Sequence, residues 1–65
     1  MIRLYRGNFN YYQTPIALYS KSKNEDQAYH NFIYQLSIKL NIDKKSLYNY
    51  FNGSKDNYTI FQGVA

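Results

Sequence analysis

The chain has no cysteine, no tryptophan, one proline, three glycines and only four carboxylates among its 65 residues. Without cysteine there is no disulfide, no thiol nucleophile and no zinc-thiolate site, so this small chain carries no covalent or thiolate-metal staple. Self-association is one substitute for such a staple. Gly7, Gly53 and Gly63 stand far apart, which excludes a glycine-rich phosphate loop and removes the support for nucleotide binding. No apolar run approaches the roughly 20 residues that cross a bilayer, and the first residues lack the apolar core of a secretory signal. The expectation is a cytoplasmic chain with no membrane association.

Groups able to do catalytic chemistry are equally scarce. His30 is the only histidine. It falls one residue off the apolar stripe of a helix and has no evident partner for proton transfer. Glu25, Asp26, Asp43 and Asp56 each suit a helix first turn, a cap or a turn, and no two are spaced for acid-base or two-metal work. No catalytic residue, metal ligand or cofactor is assigned, and an enzyme is not expected.

What the chain does contain is aromatic and basic. Apolar residues make up 45% and aromatic residues 20%, with nine Tyr and four Phe, enough for one modest core whose rings carry hydroxyls at its edge. The net charge of +4 and pI near 9.4 favour an acidic partner, either nucleic acid or an acidic protein surface. The basic residues fall into three groups: Arg3 with Arg6, Lys21 with Lys23, and Lys39, Lys44, Lys45 and Lys55. The last group invites a nucleic-acid reading, although exposed lysines also keep a Tyr-rich domain soluble.

Residues 1–19 read as β-rich. Ile2 to Arg6 and Phe9 to Tyr12 flank Gly7-Asn8, which predicts a hairpin with a two-residue turn there and with Ile2 and Leu4 on one face. Thr14-Pro15 is expected to end the second strand, Ile16 to Tyr19 to form a further short strand or tether, and Ser20 to Lys23 to be a polar connector. A helix is predicted from about Asn24 to Leu40. Asn24 and Gln27 have capping-box spacing, Glu25 and Asp26 suit the first turn, and Ala28, Phe32, Ile33, Leu36 and Leu40 form the inner stripe.

Leu36 to Phe51 carries the most information. Leu36 and Leu40 are one turn apart. Ile42 plugs a reversal in which Asn41 tolerates a left-handed backbone, and Ser37 is small enough for close approach. Asp43 is expected to cap a second helix from about Lys44 to Phe51, whose Leu47, Tyr50 and Phe51 sit at i, i+3 and i+4. Asn52-Gly53 ends it, and residues 57–61 read as a strand returning to the hairpin. The chain is therefore expected to be one α+β domain, residues 1–65, with a helix-turn-helix-like unit over 24–52.

The stretch Lys44-Lys45-Ser46-Leu47-Tyr48-Asn49-Tyr50-Phe51, followed by Ser54-Lys55-Asp56, resembles the helix-turn-helix of bacterial tetracycline-repressor-type regulators. That resemblance implies a local helix-turn-helix unit of the DNA-binding kind, and the basic cluster with the outward residues of its second helix gives Lys39, Lys44, Lys45, Tyr48, Asn49, Asn52 and Lys55 as the expected nucleic-acid-binding residues. The exposed face supports the same reading. Asn suits adenine, Lys suits guanine or phosphate, and a Tyr hydroxyl suits phosphate. Double-stranded DNA is the expected partner, bound by a homodimer of the chain on two half-sites.

A fainter resemblance joins Leu4-Tyr5-Arg6-Gly7, Phe9, Tyr11 and Pro15 to small cyanobacterial proteins of unknown function that open on a Tyr-Arg-Gly hairpin. Ile60-Phe61-Gln62-Gly63-Val64 echoes that word. This similarity implies a regulatory adaptor or inhibitor that docks on a larger protein through Tyr5, Arg6, Tyr11 and Tyr12.

Overall fold

The structure, a computed structural model, describes residues 2–53 and 57–63. Its elements are β1 (Arg3–Tyr11), β2 (Thr14–Ser22), α1 (Glu25–Leu40), α2 (Lys44–Tyr50) and β3 (Tyr58–Gln62). The strands form an antiparallel sheet in the order β2-β1-β3, so the α+β expectation holds and the carboxy-terminal strand does return to pair with β1.

The hairpin differs from the sequence reading. Gly7-Asn8 is not a turn: both residues lie inside β1, and the reversal comes at Tyr12-Gln13, between the paired residues Tyr11 and Thr14. Tyr12 and Gln13 take φ values of 47° and 67°, the positive pair that a type I′ connection demands and that Asn-Gly normally supplies. Tertiary contacts hold Tyr12 there. Its ring stacks on Tyr50 at 4.9 Å, and its backbone N–H donates to the Tyr50 hydroxyl at 3.2 Å.

Gly7 is in β1 because of close packing. A Cβ built on it would stand 2.6 Å from Phe9 Cε1 and 2.9 Å from Phe32 Cε2. Thr14-Pro15 accordingly opens β2, an edge strand, where proline is tolerated.

Strand alternation then fixes two different faces. Tyr5, Gly7 and Phe9 of β1, with Ile16 and Leu18 of β2, point into the core, while Ile2 and Leu4, expected on one face, share the opposite, exposed one. Both helices supply the core's other side through Ala28, Phe32, Ile33, Leu36, Leu47 and Phe51. Phe9 is central, with edge-on contacts to Phe32 and Phe51 and a stacked contact to Tyr58. Leu40, Ile42 and Tyr50, expected among the buried residues, are partly buried at its border.

α1 starts as its sequence directs. Asn24 Oδ1 accepts from the Gln27 N–H at 2.8 Å, and Gln27 Oε1 accepts from the Lys23 N–H at 2.7 Å, one residue upstream of the usual capping-box partner. The segment expected as a polar connector instead completes β2. Ser22 is buried, and Asn31 Nδ2 donates to Ser20 Oγ and Ser22 Oγ, tying the flank of α1 to the sheet edge. α1 ends at Asn41 in the left-handed region (φ 54°), as expected, and Ser37 both accepts from the Ile42 N–H and donates through Oγ to the Ile42 carbonyl. Asp43 occupies the N-cap of α2 but accepts no backbone N–H through its side chain, so α2 depends on Leu47 and Phe51 for its position.

Candidate functional site

α2 is seven residues long, with Leu47 fully buried and Phe51, its cap, donating a backbone N–H to the Leu47 carbonyl. Burying these two at i and i+4 turns the opposite stripe outward. Lys45 and Asn49, at i and i+4, are exposed, with Ser46 beside them, and Asn52 is exposed past the Phe51 cap that ends the helix. Lys44 is exposed on the α1 side, its Nζ 4.7 Å above the Tyr34 ring, and Lys39 is exposed near the end of α1. Lys55, with the rest of Ser54-Lys55-Asp56, lies outside the described residues.

Tyr48 does not join this stripe. It is partly buried against α1, its hydroxyl 2.8 Å from His30 Nδ1, and its ring meets those of Tyr29 and His30. His30 therefore has the partner its sequence position did not reveal, and its Nε2 lies 3.7 Å from Asp26 Oδ2. Behind them, the Tyr29 hydroxyl donates to the Phe51 carbonyl at 2.6 Å. Burial raises the Tyr29 hydroxyl above the ordinary tyrosine range, with Tyr58 and Tyr48 pushing the same way. This constellation fastens α2 to α1. Among the described residues no group of three or more His, Asp and Glu side chains is placed to hold a metal ion.

The hairpin tip comes up beside α2. Tyr11, Tyr12, Ser46, Asn49 and Tyr50 line a groove of about 340 Å³ without a charged residue. Tyr12 was not associated with α2 by sequence spacing, because only the position of the turn brings it there. The four residues considered for protein binding do not share one surface. Tyr5 is buried in the core at 3% exposure, Arg6 faces the other side of the sheet, Tyr11 is partly buried, and only Tyr12 is prominently exposed. Period-2 alternation separates Tyr5 from Arg6 as soon as both lie in one strand.

No helix among the described residues is long and apolar enough to cross a membrane. In comparisons with known proteins, no family model, no curated protein and no solved structure matches the chain.

Proposed function

We propose that this chain is a non-enzymatic, sequence-biased DNA-binding regulator that reads duplex DNA with the outward stripe of α2. The observation that supports it is the aligned exposure of Lys45 and Asn49 opposite the buried Leu47, with Asn52 exposed just past the helix end. Asn49 has the amide chemistry to bond adenine N6 and N7 together, and Lys45 suits guanine or a phosphate. Lys39 and Lys44 add positive charge on either side of the interhelical turn. The Tyr48 hydroxyl, engaged by His30, is left out of the reading surface.

A seven-residue helix is about 10 Å long and reaches few base pairs, so useful affinity calls for a homodimer on half-sites about one DNA turn apart. Asn49→Ala tests the base reading: the melting temperature should stay nearly constant, while binding to the preferred site weakens by about 1 to 3 kcal/mol. Tyr48→Phe should leave DNA affinity unchanged.

The hairpin tip favours a second reading, a small adaptor or inhibitor on a larger protein. Tyr12 is 69% exposed beside an uncharged groove, and tyrosine gives large contact area at low entropy cost. Under that reading Tyr12→Ala abolishes a protein interaction and the α2 substitutions change nothing.

A further inference from the structure

Both helices pack on one face of the sheet, and the other face is left exposed among the described residues. Arg6 stands at its middle, paired across β1-β2 with Tyr19 and across β1-β3 with Phe61. The three side chains therefore form one row across three strands, with the two aromatic residues roughly 10 Å apart at their backbones. Tyr19 is 54% exposed and Phe61 46%, and neither ring meets another aromatic ring among the described residues. Such pairs are normally core material in a chain of this size.

Arg6 Nε is shielded and has no acceptor, an unmet donor that an incoming anion is suited to satisfy. Next to this row Arg6, Asn8, Asn10, Ala17, Asn57 and Thr59 help to line a broad depression. Its polar lining is cationic or neutral, with no carboxylate, and Phe9, Pro15, Ile16 and Tyr58 add apolar area. Lys21, opposite Leu4 in the register, shares the face with Arg6. Of the described carboxylates, Glu25 and Asp26 begin α1 and Asp43 precedes α2, so none is on the outward face of a strand.

We propose that this open sheet face binds single-stranded RNA, independently of α2. Tyr19 and Phe61 offer two π-faces for unstacked bases, and Arg6 between them is placed for the linking phosphate. Asn8, Asn10 and Thr59 supply amide and hydroxyl groups able to donate to and accept from a ribose 2′-hydroxyl, the group that separates RNA from DNA. A second copy of the chain fits less well, because stacking two such faces brings Arg6 and Lys21 against like charge. An apolar protein surface would leave Arg6 buried without an acceptor.

The test is a fluorescence-anisotropy titration of the full chain with a labelled 12-nucleotide oligouridylate, the deoxyuridine strand of equal length, and a duplex DNA, at low and at moderate salt. The ribose strand should bind, more weakly as salt rises, and better than the deoxy strand. Tyr19→Leu and Phe61→Leu keep apolar area at exposed positions but remove the π-faces. Each should weaken ribose-strand binding about 5- to 100-fold with the circular-dichroism melt little changed. Asn49→Ala and Lys45→Ala should leave it unchanged, and duplex DNA should not displace the strand, so this proposal and the α2 reading fail separately. Equal binding of the deoxy strand would overturn the assignment to RNA. Full affinity in both leucine variants would overturn the stacking platform. Self-association that Arg6→Glu strengthens, with no strand binding at low salt, would assign the face to a second copy instead.

Discussion

Gly7→Ala separates two physical expectations of opposite sign. Replacing a strand glycine whose backbone is ordinary usually stabilises by about 0.4 to 1 kcal/mol, because the unfolded chain loses freedom. Gly7 is not among the residues with positive φ, so no backbone strain opposes the change. The obstacle is space: the new methyl would lie 2.6 Å from Phe9 Cε1 and 2.9 and 3.0 Å from two Phe32 ring atoms. Neither ring has room to yield. Phe9 is 1% exposed and held by Phe32, Phe51 and Tyr58, and Phe32 is fully buried. Overpacking of this kind costs about 1 to 3 kcal/mol, leaving a net loss of about 1 to 2 kcal/mol after the glycine term.

For a chain of 65 residues, whose whole stability is of order 3 to 10 kcal/mol, that is a large fraction. Thermal unfolding followed by circular dichroism should show the melting temperature falling by about 5 to 15 °C. The same change in a Phe9→Leu background should cost less, by at least about 0.5 kcal/mol, because the opposing ring edge is gone. A Gly7→Ala protein that melts higher than wild type would refute the packing argument, as would an equal cost in both backgrounds.

Leu47→Ala should cost roughly 2 to 5 kcal/mol and loosen α2 from the core, giving a lower and broader melt. A loss under about 1 kcal/mol would show that α2 is not anchored there. Tyr29 predicts an alkaline dependence. With its folded value raised, its contribution is intact below the unfolded tyrosine value near 10 and is lost as pH rises from there through the folded value. Melting temperatures of wild type should therefore fall more steeply above about pH 10 than those of Tyr29→Phe, and parallel curves would contradict this. At neutral pH the same variant should lose about 0.5 to 1.5 kcal/mol, the hydrogen bond to the Phe51 carbonyl.

The helical half was legible because its signals are local. Asn24, Glu25 and Asp26 mark a start, the stripe through Ala28, Phe32, Ile33 and Leu36 marks a face, and Asn41 marks a reversal. The strand half was not. Tyr12 and Gln13 carry no turn signature, and their positive φ depends on Tyr50, 38 residues from Tyr12 in sequence. Gly7-Asn8 carries a turn signature that close packing of Phe9 and Phe32 explains instead.

Misplacing the turn by five residues hid the alternation that joins Arg6 to Tyr19 and Phe61 and that buries Tyr5. On α2, the outward placement of Lys45 and Asn49 followed from helical spacing, whereas Tyr48, expected to project outward, is partly buried because its partner His30 sits 18 residues away on α1. Asp43 had the right residue type and position for a cap without making the bond, since residue type alone does not set the side-chain rotamer.

If α2 presents a phosphate-neutralising, base-reading stripe, as proposed, its salt dependence on duplex DNA must carry the signature of Lys45. Mixed-sequence duplex DNA is titrated with wild type and with Lys45→Ala across a series of salt concentrations. Binding should weaken linearly in the logarithm of salt, with Lys45→Ala weaker on all sequences alike and its slope smaller by about one unit. Absence of duplex binding at low salt, or a slope identical in the two proteins, would contradict it.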